Sequence, residues 1–199
     1  MATVEKVKTK IGLESSYFVP ITAEPENARP TYGEMYDMGA AVRANISVNY
    51  AEGQLYGDDA LQVDAKLFAG GVLDAETLRD DMEIDVMVFG SKLNEDGVYV
   101  DSKDDASPAG GYAFIQKLMN KSKQIMYRAV FILRVTGNMV SDNSETKGSG
   151  ITFTNKVINY AISPANNGEW RLRKEFKDKA AALAWLESIA TGAASAATT

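Results

Sequence analysis

The sequence predicts a mostly β domain, a sandwich or partly closed barrel of about eight short strands with one internal helix and one C-terminal helix. Three observations carry this. Apolar and polar residues alternate with period two in several separate runs, the spacing of half-buried strands. Turn-forming Gly, Asn and Asp clusters separate these runs. A helical stripe becomes prominent only near the end, from Asp178 to Ala190.

The central pair of runs lies between Tyr112 and Val135, joined by the polar turn Asn120-Lys121-Ser122-Lys123-Gln124. In the second run Tyr127, Ala129, Phe131, Leu133 and Val135 share one face, while Met126, Arg128, Val130, Ile132 and Arg134 share the other. The first face is expected in the core, and the second, carrying two guanidinium groups, at a wet surface or an interface. A hairpin of this kind needs further strands or a helix to be stable.

Along the chain, Lys6, Lys8 and Lys10 alternate with Val7, Thr9 and Ile11, as an edge strand or basic arm would. Tyr17 to Thr22 reads as a short strand, with Pro20 suggesting an edge position. The segment after it, with Pro25, Pro30 and Gly33, reads as loop. Val42 to Tyr50 and Leu61 to Phe68 alternate clearly, flanking a turn-rich stretch from Ala51 to Ala60, and Gly70-Gly71 is expected to end the second run. A helix is expected over at least Ala75 to Met82, capped by Asp74 and stopped by Gly90. The stretch from Glu83 to Phe89 fits helix or strand. Asn94-Glu95-Asp96-Gly97 reads as a turn into the short strand Val98 to Asp101. After a polar loop from Gly137 to Gly150, Ile151 to Ser163 and Trp170 to Phe176 read as strands about the hairpin turn Asn166-Asn167-Gly168. The expected organisation is an arm at 1–10, one domain at 11–190 and a disordered small-residue tail at 191–199.

The chain has 199 residues and contains neither histidine nor cysteine, which removes the commonest general base, thiol nucleophiles, disulfides and the usual zinc ligands. Acidic clusters at Asp58-Asp59, Asp80-Asp81 with Glu83 and Asp85, Asp96 with Asp101, and Asp104-Asp105 lack the glycine-centred loop of a calcium hand. No phosphate-cradling glycine loop or nucleophile elbow is present. These features point to no catalytic residue, metal or cofactor, and to a protein that is not an enzyme. No signal peptide and no membrane-spanning helix are expected. A net charge of −6 argues against tight binding of nucleic acid, since such binding neutralises phosphates with Lys and Arg.

The order of short motifs then carries a resemblance. Tyr17-Phe18-Val19-Pro20, Thr31-Tyr32-Gly33 and Leu55-Tyr56-Gly57-Asp58-Asp59-Ala60 come first. Ser102 to Gln116, the hairpin Ile125 to Gly137, Thr146-Lys147-Gly148, Ile151 to Ile162 and Gly168 to Arg173 follow. Together, from about residue 11 to 190, they resemble the major tail protein family of long, non-contractile bacteriophage tails. Two departures are visible: Asp80 to Phe89 carries more charge and β-branched residues than that family's helix, and the immunoglobulin-like decoration that some members carry is not expected here.

The resemblance implies a structural virion protein that assembles as hexameric rings, stacked into a tail tube through which DNA leaves the capsid. It implies as partners further copies of the chain, a tape-measure protein, a tail terminator and distal tail or baseplate proteins, with assembly in the host cytoplasm. DNA would pass without specific binding, and no membrane would be involved. Inter-ring contact is expected from the loop residues Glu52, Gly53, Gln54, Leu55 and Tyr56. Asp58, Asp59, Asp64, Asp81, Glu83 and Asp85 are candidates for lining the channel. Lys6, Lys8 and Lys10 are expected to dock the arm on an acidic face of a neighbour. The alternative is a non-polymerising β-sandwich binding module, of terminator-like or adhesion type.

Overall fold

A computed structural model describes residues 7–57, 60–140 and 155–193, and for 54–57 and 60–64 the backbone alone. The elements are β1 (Lys8–Ala23), β2 (Thr31–Tyr32), β3 (Tyr36–Asp37), β4 (Ala41–Gly57), β5 (Ala60–Thr77), α1 (Met82–Phe89), β6 (Lys92–Leu93), β7 (Tyr99–Val100), β8 (Ala109–Asn120), β9 (Ile125–Met139), β10 (Lys156–Ile162), β11 (Arg171–Phe176) and α2 (Lys179–Ala190). The fold is mostly β, as expected. Its main sheet has nine strands in the order β2-β1-β8-β9-β10-β5-β4, with β3 added to β1 and β11 to β9, and all its pairings are antiparallel. The sheet is curled but not closed, so nothing confirms the partly closed barrel of the sequence reading.

The hairpin β8–β9 is the axis of the fold, and it is buried on both faces rather than one. Phe114, Val130 and Ile132 join Phe18, Leu73, Ile84, Val88 and Tyr160 in an inner core beneath α1. Ala113, Ile115, Ala129, Phe131 and Leu133 join Val19, Ala182, Leu186 and Ile189 in an outer core beneath α2. The arginines that made one face look wet are satisfied by distant carboxylates. Arg128 pairs with Glu175 at 2.7 Å and Arg134 with Glu24 at 2.6 Å.

A bulge in β9 links the two cores. Gly110 pairs with Val135 but Tyr112 with Ile132, so β9 carries one extra residue at Leu133–Arg134. The extra residue reverses the alternation: Leu133 packs in the outer core and Val135 in the inner one. At the same point β9 changes its neighbour. Leu133 N–H donates to Trp170 O at 3.0 Å on the β11 side, and Ser163 N–H to Arg134 O at 3.2 Å on the β10 side. Asn166-Asn167-Gly168 therefore turns the chain, as expected, but β10 and β11 do not pair with each other; both lie along β9. Tyr32 O–H donates to Leu133 O at 2.8 Å and secures the bulge.

Further expectations change. Pro20 is within a 16-residue strand, not in a short edge strand. Its carbonyl accepts from Gly33 N–H at 2.8 Å on the side away from β8. The missing N–H thus faces the outer side of β1, where a proline costs no ladder bond. The segment after it is not all loop, because it contains β2 and β3. Gly70-Gly71 does not end its strand: β5 runs on to Thr77, because β4 and β10 hold it from either side. A Cβ on Gly71 would sit 2.4 Å from Ser47 O, so the glycine serves close approach of two backbones.

The internal helix starts later than expected. Ala75 to Thr77 is strand, and the helix is α1, with Asp81 as N-cap accepting from Ile84 N–H and Gly90 as the left-handed C-cap. The C-terminal helix forms where its stripe placed it, with Asp178 as N-cap. Lys8 and Lys10 belong to β1, so the strand begins before the expected domain boundary at residue 11. Lys6 and residues 194–199, most of the expected tail, lie outside the described residues.

Candidate assembly surfaces

Up to Gly70, β4 and β5 form a hairpin whose only strand partners, among the described residues, are each other. Asn49 pairs with Gly70 but Tyr50 with Phe68, so a bulge at Ala69 marks the point where the hairpin leaves the sheet. Gly70 has φ +138°, a conformation that suits glycine, and it follows the extra residue. From there the ladder continues without a third strand through Glu52↔Lys66, Gln54↔Asp64 and Leu55↔Val63 to Gly57↔Ala60. The segment expected to be a loop is thus a two-stranded ribbon. From Tyr50 to Gly57 it extends roughly 23 Å at about 3.3 Å per residue.

The register gives this ribbon two unlike faces. Ala51, Gly53 and Leu55 pair with Leu67, Ala65 and Val63, all apolar or glycine. The alternate positions hold Tyr50, Glu52 and Gln54 against Phe68, Lys66 and Asp64. Ala51, Gly53 and Ala65 are exposed, and Leu67 is 69% exposed, a large apolar side chain left in water. On the polar face Lys66 pairs with Glu52 at 2.6 Å. At the root Phe68 stacks on Trp170, ring centroids 4.6 Å apart and planes 5° from parallel, which ties the ribbon to the residue that leads into β11. The alternation at Leu61 to Leu67 was legible in the sequence. Its match to Ala51, Gly53 and Leu55 was not, because Gly53 and Gly57 break the strand signal.

The remaining candidates fall in separate places. Asp58 and Asp59 lie outside the described residues. Asp64 is in the ribbon, about ten residues and roughly 30 Å of strand before Asp74. Asp81, Glu83 and Asp85 are at the start of α1, so the structure does not bring them together with Asp64. Two of these helix acids have structural partners. Asp81 caps α1 and pairs with Arg79, which also donates to Asp37 O at 2.5 Å. Asp85 pairs with Lys156 at 2.7 Å, and Asp80 holds the same ammonium at 3.0 Å. Burial pulls the Lys156 ammonium down, but these carboxylates outweigh it and hold its pKa above the ordinary value. Glu83 is 71% exposed and reaches Arg79 only at 3.6 Å.

Lys8 is committed within its own chain, to Glu175. Lys10 has no ion-pair partner among the described residues and lines a cleft with Arg128, Arg171 and Arg173. Among the described residues no group of acidic side chains is arranged to hold a metal ion. Among the described residues no helix is long and apolar enough to cross a membrane. No protein-family model matches the chain, and no curated protein matches it.

Proposed function

We propose that this chain is a self-assembling structural subunit, the major tail protein of a long non-contractile phage tail, stacking as hexameric rings into a tube that passes DNA. The observation that carries the reading is the projecting ribbon. Two-stranded hairpins are marginal in water, and this one presents an apolar face with exposed Ala51, Ala65 and Leu67. Burial against another copy gives that face a purpose. The outer edge of the 17-residue β4 supports the same conclusion, since among the described residues it pairs with β5 alone. Unpaired edges template contact with other chains unless they are covered. A ribbon on one side that seats on a different surface of the next copy is a heterologous contact, the kind that yields rings and open stacks.

Under this reading the virion is the site of action, and the tape-measure, terminator and distal tail proteins are the partners. Glu83 is the described acidic candidate best placed to face a channel, because its carboxylate is open to solvent. The test is negative-stain electron microscopy and sedimentation of the full chain beside a variant in which residues 52–66 are replaced by Asn-Gly. Wild-type rings or tubes, and a folded variant that forms neither, are expected. Tubes from the shortened variant would remove the ribbon from the assembly contact. A wild-type chain that stays monomeric even with tail initiator added would remove the reading itself.

A further inference from the structure

The inner face of the curled sheet changes character toward one end. Phe114 and Val130 belong to the apolar core, and two residues further along on the same face are Gln116 on β8 and Arg128 on β9. Arg171 and Arg173 on β11, Lys10 on β1 and Asn45 on β4 complete a cleft of about 400 Å³. Among the described residues no carboxylate lines it. The nearest one shown in contact, Glu175, is already shared between Arg128 and Lys8. Lys10, Arg171 and Arg173 have no counter-carboxylate among the described residues. Arg171 lies over the Trp170 ring, 4.2 Å from its centroid. Burial, then the charges of Arg173 and Arg128, push its guanidinium below the usual arginine range.

A chain of net charge −6 thus gathers uncompensated cations in one concave place. Holding them there costs Coulomb energy that an anion between them would recover. Guanidinium groups match phosphate and carboxylate oxygens with paired hydrogen bonds. Cations converging from three strands, with the Asn45 and Gln116 amides beside them, suit a compact, multiply charged ion better than one planar carboxylate. We propose that this cleft is a binding site for a phosphate-class oxyanion. A free phosphate or pyrophosphate and the phosphodiester of a nucleic acid share this chemistry. The enclosure between two parts of the sheet favours the free ion. The proposal does not rest on the tube reading.

The experiment titrates the full-length protein with pyrophosphate by calorimetry and follows thermal unfolding, using sodium chloride of equal ionic strength as control and a short oligothymidylate as the competing source. Saturable binding of one pyrophosphate per chain, with a rise in melting temperature that chloride does not reproduce, is expected. Arg173→Gln and Lys10→Gln should each weaken binding roughly ten-fold or more, the effect of losing a hydrogen bond between charged groups. In phosphate-free buffer Arg173→Gln should melt no lower than wild type, because it relieves repulsion, while saturating pyrophosphate should restore the wild-type advantage. A response that chloride equals, or affinity unchanged in both variants, would overturn the proposal. Binding of oligothymidylate without pyrophosphate would assign the cleft to nucleic acid and overturn the free-ion assignment.

Discussion

Replacing Glu175 by glutamine removes the carboxylate that joins β1, β9 and β11. In the native chain Glu175 pairs in register with Arg128, accepts from its Nε at 3.1 Å and Nη2 at 2.7 Å, and also takes the Lys8 ammonium. The side chains of Lys8, Arg128 and Glu175 are 24%, 26% and 29% exposed. That places the group between surface pairs, which contribute up to about 1 kcal/mol, and buried pairs, whose disruption costs about 3–5 kcal/mol. The expected loss at neutral pH is about 2 kcal/mol, or a melting temperature roughly 4–8 °C lower for a chain of this size. Hydrogen bonds from Lys8 and then Arg128 hold the carboxyl below the ordinary carboxylate range. A depressed folded-state pKa gives stability that is present above the unfolded value and lost as pH falls through the folded one. The gap between wild type and Glu175→Gln should therefore be full at pH 7 and narrow below about pH 4. Urea unfolding across that range measures it. Equal midpoints at pH 7, or a gap that persists undiminished in acid, would refute the reasoning. The same substitution should tighten pyrophosphate binding, since it leaves the neighbouring cleft more positive.

Gly137→Ala should destabilise by about 1–3 kcal/mol in chemical unfolding, because the new Cβ would meet Val88 Cγ1 at 2.2 Å and Val88 O at 3.1 Å and so displace α1. Asp81→Ala should cost about 1 kcal/mol through loss of the helix cap, measured by the same method, and it also strips Arg79 of its closest carboxylate. Tyr32→Phe should cost about 1 kcal/mol by leaving Leu133 O without its phenol donor, with faster amide exchange around the bulge as the local sign. Glu169 is held below the ordinary carboxylate range chiefly by the Arg29 hydrogen bond, so Glu169→Gln should lower stability at pH 7 and lose its effect in acid.

Local chemistry was the legible part of this sequence. The turn at Asn120–Gln124, the turn ending in Gly168, the Gly90 stop and the Asp178-capped helix each depend on neighbours within a few residues, and all appear where the chain places them. What stayed hidden depended on distant partners. Gly70-Gly71 looks like a break until Ser47 O and Ile162 O are seen lying where side chains would be. Ala75 to Thr77 fits a helix by local pattern, but β4 and β10 claim it as strand. Arg128 and Arg134 look solvated because Glu175 and Glu24 are far off in sequence. The ribbon was half concealed for a different reason: its Leu61–Leu67 arm alternates visibly, but Gly53 and Gly57 make the opposite arm read as loop. The basic cleft combines residues from five strands, so no single stretch announces it.

The shared strand β9 also sets an order of events for the nascent chain. The β4–β5 and β8–β9 hairpins close locally and fast, but neither core is complete at that stage. The inner core waits for Ile158, Tyr160 and Ile162, and the outer core for Leu172 and then α2. Both sets arrive in the last quarter of the chain, and both bind along the same edge of one strand. Contacts that span so much sequence slow folding. Until residue 176 has been made, the free edge of β9 is an open template for a neighbour's strand. Synthesis, rather than storage, is the period in which this protein is most exposed to joining the wrong partner.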